Sequence, residues 1–199
     1  MPKPASIRAP RRADAERSVA RILDAAVEEL ARDPEAGMAA IARRAGVVRA
    51  TIYVHFPTRE ALIDAVTRHA VGEVTELIQA AEPARGEPAE ALARVVSEAW
   101  RALGRFHALV AINARLPPDE LRDRHAAVLA ALEPLVERGR RDGSFRADQP
   151  TGWHLSMILA LVHAASAEQH GGRIAADAVE PAVVATVLGA LGAGGRAPD

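Results

Sequence analysis

The sequence predicts an all-α protein: a small N-terminal three-helix unit built around a helix-turn-helix, followed by a larger C-terminal helical bundle. Three observations lead there. The helix formers Ala, Leu, Arg and Glu dominate the 199 residues while aromatic side chains make up only 3%, so little favours sheet. Apolar residues recur at spacings of three and four through one segment after another. Hydrophobic residues reach 49%, enough for a sizeable core, and clusters of Pro and Gly fall between the periodic segments.

The elements follow in chain order. Residues 1–12 are rich in Pro and Arg and are expected to form a disordered basic arm. From Asp14 to about residue 31, Val19, Ile22, Leu23, Ala26, Val27 and Leu30 form one apolar stripe. Asp14 and Glu16 suit the positive end of that helix, and Asp33-Pro34 ends it. A short helix from about Met38 to Ala45 turns Met38, Ile41, Ala42 and Ala45 inward; Gly46-Val47 breaks it. A second short helix, Val48 to about His55, buries Ile52 and Phe56. Thr58 is the expected N-cap of a long helix reaching about Ala81, with Glu60 in its first turn and Leu62, Val66, Val74, Leu77 and Ile78 inward.

The stretch 82–88 carries two prolines and a glycine and is the expected domain boundary. Beyond it, helices are expected near 89–103, 105–115, 119–141, 151–168 and 178–191. A Leu-Pro-Pro turn at 116–118, a kink at Pro134, and stops at Asp142-Gly143 and Gly171-Gly172 punctuate them. The expected division is a disordered basic arm (1–12), a helix-turn-helix domain (13–57), a connecting helix (58–81), a C-terminal domain (82–192) and a loose tail (193–199).

Composition excludes several classes. With no cysteine there is no disulfide, zinc-thiolate site or thiol nucleophile. The longest apolar run, Met157 to Ala167, is interrupted by His163 and Ser166 and is too short to span a bilayer. Lys3, Arg8, Arg11 and Arg12 have no apolar segment behind them, so a cytoplasmic protein without a membrane partner is expected. Among seven histidines none stands in a His-Glu-x-x-His or Glu-x-x-His spacing, and there is no Gly-rich phosphate loop or Gly-x-Ser-x-Gly elbow. Neither an enzyme, a metal site nor a cofactor is expected. The net charge is −1, but residues 1–60 hold 11 Lys+Arg against 8 Asp+Glu and the remainder 14 against 18. That asymmetry fits an anion-facing N-terminal part and an acidic body.

The segment Met38 to Phe56 carries the chemistry. Ala42 is small where two short helices must approach, and Gly46 can take the left-handed conformation of a tight turn between them. Ile41, Val47 and Ile52 make a miniature core, and helices this short need the flanking amphipathic helices to fold. Left outward are Arg49, Ala50, Thr51, Tyr53 and His55, side chains suited to a DNA major groove. Arg43 and Arg44 are placed to neutralise backbone phosphates on one side, or to form a solvated face; Arg59 begins the next helix.

The ungapped run Ile41, Ala42, Ala45, Gly46, Val47, Ala50, Thr51, Ile52, Tyr53, His55, Phe56, Arg59, Glu60 and Leu62 resembles the DNA-binding region of the TetR (tetracycline-repressor-like) family. The resemblance implies phosphate contacts from Thr51, Tyr53, His55 and Arg59, with Val48, Arg49 and Ala50 nearest to base edges. Val48 and Gly37 stand where the family pattern has capping Ser or Thr, which predicts a motif held by Gly46 and packing more than by side-chain caps. Arg59 replaces a usual Lys.

For the C-terminal domain the resemblance implies dimerisation through the last two helices and an effector pocket. Helix 153–167 is apolar nearly all round, and Ser156, Ala160, Ala164 and Ala167 offer small faces to a symmetric partner. Val183, Val187 and Leu191 on the last helix complete the expected interface; a monomeric core is the alternative. Polar and aromatic residues on otherwise apolar helices, namely Trp100, Phe106, His107, Asn113, His125, Trp153, His154 and His163, are the expected pocket residues. The function implied is a homodimeric regulator that binds double-stranded DNA, a repressor released from a palindromic operator by a small-molecule effector. The alternatives are a helical protein-interaction module, a DNA-binding regulator without an effector, and an activator.

Overall fold

The computed structural model describes residues 8–114 and 116–192, with side chains from residue 14 onward. Its helices are α1 (Arg8–Arg32), α2 (Met38–Arg44), α3 (Arg49–His55), α4 (Arg59–Ala80), α5 (Pro88–Leu103), α6 (His107–Asn113), α7 (Pro118–Arg124), α8 (Ala126–Asp142), α9 (Thr151–His170) and α10 (Ala176–Leu191). A 3-10 turn, Gly104–Phe106, precedes α6. Among the described residues there is no strand, only an isolated antiparallel bridge between Phe145 and Gly192. Among the described residues no helix is long and apolar enough to cross a membrane. The chain divides into two compact units between His69 and Ala70, inside α4 and ahead of the proline-rich stretch 82–88.

In the first unit, Ile22, Ala26 and Leu30 of α1, Ile41 and Ala42 of α2, Ile52 of α3, and Leu62 and Val66 of α4 form one fully buried core. The Thr58 hydroxyl caps α4 by accepting from the Ala61 amide at 3.1 Å. α1 starts earlier than Asp14, so Arg8 to Arg12 of the expected arm are helical. Residues 1–7 and the tail 193–199 lie outside the described residues.

In the second unit α9 packs on α6, α8 and α10, while α5 packs on α8 and α10. Leu92, Val95, Leu135, Val136, Phe145, Leu155, Ile158, Val179 and Val187 fill the space between them. The expected helix 119–141 is two helices, and the break falls at His125, not at Pro134, which is accommodated inside α8. The His125 Nδ1–H donates to the Leu121 carbonyl at 2.8 Å while the backbone leaves the helical region (φ −100°, ψ 10°). A side chain competing for the carbonyl at the end of a helical turn ends the helix there. Leu77, expected inward, is exposed because it lies off the Leu62–Val66–Val74–Ile78 stripe.

Two arginines hold the turn between α4 and α5. Arg94 donates to the carbonyls of Ala81, Glu82 and Arg85 at 2.9, 3.1 and 3.0 Å. Arg138 donates to those of Gly86 and Pro83 at 2.6 and 2.9 Å. The carbonyls left open at the end of α4 and in the following turn are thereby satisfied by side chains rather than by a repeating backbone pattern.

Candidate nucleic-acid interface

The turn between α2 and α3 is a backbone device. Gly46 adopts φ +65°, the Ala45 amide donates to the Ile41 carbonyl at 2.9 Å, and Val47 reaches back to the Ala42 carbonyl at 3.0 Å. Neither α2 nor α3 has a side-chain cap, as Gly37 and Val48 led us to expect; the first-turn amide of Thr51 instead bonds the Val48 carbonyl at 2.9 Å. Ile52 and Phe56 anchor the inner face of α3, against Ile41 and Ala42 of α2 in the same core.

Because that face is locked, the opposite one stands out. Arg49 and Ala50 are exposed, Thr51 and His55 are half-buried, and Tyr53 retains 39% of its surface. The Arg49 guanidinium lies over the Tyr53 ring at 5.6 Å, an i, i+4 pair that steers the arginine along the helix. Val48 and Val54 are 70% and 78% exposed, among the most exposed large apolar side chains of the protein. Val54 was not singled out from sequence, since an isolated valine between Tyr53 and His55 carries no motif signal.

The three flanking arginines differ. Arg43 is exposed. Arg44 is engaged by α1: it pairs with Glu29 through its Nε and with Glu28 at 3.3 Å. That hydrogen bond holds the Glu29 carboxyl below the usual carboxylate range. Arg59 donates to the carbonyls of Pro34 and Ala36 at 2.6 and 3.3 Å. Arg44 and Arg59 therefore fasten α1, the α1–α2 loop and α4 around the motif, and the sequence signal for a cation could not reveal these local acceptors.

In the second unit a cavity of about 740 Å³ opens between α5, the 3-10 turn, the end of α9 and the start of α10. Of the eight expected pocket residues, Trp100 and His107 line it, beside His170, Ser166, Asp177 and Glu180. The His107 and His170 rings stack at 5.7 Å, and Arg101 is paired with Glu180 at 2.8 Å. The others lie elsewhere. Phe106 and Asn113 are buried, and His154 is 1% exposed with neither ring nitrogen partnered. His125 and His163 meet edge to face at 5.1 Å. Burial, aided by His125, pushes the His163 imidazole down to about 4.

Trp153 is 60% exposed and does not line the cavity at Trp100; it heads the exposed face of α9 that continues through Ala160, Ala164 and Ala167. Ser156 accepts a hydrogen bond from Arg122. Val183, Val187 and Leu191, expected to meet a partner, are covered by their own chain, because they form the inner stripe of α10. The exposed residues of α10 include Ala178, Ala182, Ala185 and Gly189, together with Asp177, Pro181 and Thr186.

Residues 22–66 match the model of a family described as bacterial regulatory proteins, tetR family. The chain is 33% identical over 151 residues to the HTH-type transcriptional repressor LfrR of Mycolicibacterium smegmatis, covering 75% of this chain and 77% of that one. It is 28% identical over 163 residues to the HTH-type transcriptional regulator NfxB of Pseudomonas aeruginosa, covering 79% and 85%. Among solved structures it resembles the TetR-like regulator LfrR from Mycobacterium smegmatis in complex with proflavine, with a TM-score of 0.67 and 26% identity over 88% of this chain and 97% of that one.

Proposed function

Because this chain belongs to the tetR family of bacterial regulatory proteins, and is thereby a DNA-binding transcription regulator, we propose that it acts as a homodimeric repressor released from its operator by a small molecule. The observation that carries the reading is the asymmetry of α3: Ile52 and Phe56 are locked into the core while Arg49, Ala50 and Tyr53 face solvent. Two such faces, related by a twofold axis, enter successive major grooves of a near-palindromic site. Arg49 supplies the guanine-type contact, and Thr51, Tyr53 and His55 bond phosphates that set the register. Arg43 adds charge at the border, while Arg44 and Arg59 act as braces.

Dimerisation is assigned to the outward faces of α9 and α10, whose alanines and glycine let helices approach closely. The effector is assigned to the cavity at Trp100. Its aromatic wall, the stacked His107 and His170 rings and the acidic Asp177 suit an aromatic ligand bearing positive charge. Support comes from LfrR, whose structure holds proflavine. A ligand that prefers one arrangement of the second unit shifts the spacing of the two motifs by that difference in affinity, with α4, shared by both units, as the lever.

Selection of bound duplexes from a random pool tests the reading. The expected product is a palindrome with half-sites about one helical turn apart. Tyr53→Phe with His55→Ala should weaken binding by loss of hydrogen bonds, and Arg43→Ala should flatten its salt dependence by roughly one unit of slope. Unchanged affinity and slope would refute the assigned contacts. Titration with proflavine, followed by thermal shift and by DNA release, tests the cavity.

A further inference from the structure

The outer surface of α3 holds more aliphatic surface than the fold requires. Val48 and Val54 are 70% and 78% exposed, and Ala50 lies one turn before Val54 on the same face. Val54 sits inside α3, where valine is a poor helix former, and Val48 precedes the helix in extended backbone; at such exposure neither gains from packing in its own unit. No residue from Met38 to Pro57 is acidic, and the strip is bordered by Arg49 and Arg43, so its surroundings match a polyanion rather than an acid-tolerant protein surface.

In a DNA major groove one apolar group is displayed on a base edge, the C5-methyl of thymine. Resting on the DNA-binding reading above, we infer that Val48 and Val54 are specificity residues that pack on thymine methyls, so that each operator half-site carries thymine beside the base read by Arg49. The half-site is thus chosen partly by apolar contact, with few hydrogen-bonding side chains facing base edges.

The test uses a duplex recovered by selection, with individual thymines replaced by deoxyuridine. That change deletes the methyl group and leaves base pairing intact. With the unmodified protein, one or two positions in each half-site should lose roughly three- to tenfold in affinity. The same positions should show no penalty with Val48→Ala or with Val54→Ala, each read at its own thymine. Both valines are exposed, so the variants keep the fold, checked by circular dichroism and by binding to non-specific duplex at low salt. If the parent duplex binds but no uracil weakens it, or if the penalties persist in both variants, the inference is overturned and the DNA-binding reading stands. If no duplex is retained even at low salt, both fall.

Discussion

His163 shows how one residue's surroundings set a property of the whole chain. Its imidazole is buried on α9 against His125, its Nδ1 has no partner, and its proton affinity is pushed down to about 4 from an ordinary 6.5. The unfolded chain therefore binds a proton at this site before the folded one does. The stabilisation from keeping His163 neutral is fully present above pH 6.5 and is lost as pH falls through the window toward 4. By pH 5 the loss is about 2 kcal/mol. Burial also lowers His125 and His154, which adds in the same direction. Urea unfolding at pH 7 and pH 5 should show a smaller drop for His163→Gln than for the unmodified protein; equal drops would refute the assignment. His163 was legible in the sequence as a polar residue on an apolar helix. Its neighbour His125, 38 residues away in sequence, was not legible as its contact.

At the scale of elements, two glycines in helices separate local preference from packing. Gly139 of α8 meets the buried Phe145, whose amide donates to the Gly139 carbonyl at 2.8 Å; a Cβ there would lie 2.2 Å from the ring. Gly72 of α4 has open space around it. Gly139→Ala should destabilise the protein by about 2 kcal/mol, the cost of overpacking outweighing the gain in helix propensity. Gly72→Ala should stabilise by up to about 1 kcal/mol. Opposite shifts in midpoint denaturant are the expected result; two shifts of the same sign would refute the packing argument. The arginine staples make a second case. Arg94→Met leaves three carbonyls without their donor and should cost about 1–3 kcal/mol, measured by the same unfolding curves. Periodicity located nearly every helix, yet it placed His125 inside one and did not single out Gly139, because it registers neither a side chain competing for a backbone carbonyl nor a ring packed from beyond the helix.

At the scale of the molecule, the outward faces of α9 and α10 carry the expectation of a dimer. Ala164 is exposed in the protomer, so Ala164→Glu should leave helicity and the monomer fold unchanged. At a twofold interface it would bury two like charges. Sedimentation should give a dimer for the unmodified chain and a monomer for the variant, with operator affinity falling at least tenfold. A variant that stays dimeric would move the interface elsewhere.

The sequence by itself determined the helical class, most helix boundaries, the turn at Gly46 and the outward placement of Arg49, Ala50 and Tyr53 on α3. Each of these follows from the 3.6-residue period, from glycine's access to positive φ, or from side chains close together along the chain. Only the tertiary structure decided that Arg44 answers Glu29, that Arg59 and Arg94 bond loop carbonyls, that Val183 and Val187 face inward, and which pocket residues share a cavity. Those outcomes depend on which helix covers which face and on where free carbonyls and carboxylates come to rest. No local pattern encodes that, because the same amphipathic stripe can be buried by its own chain or by another.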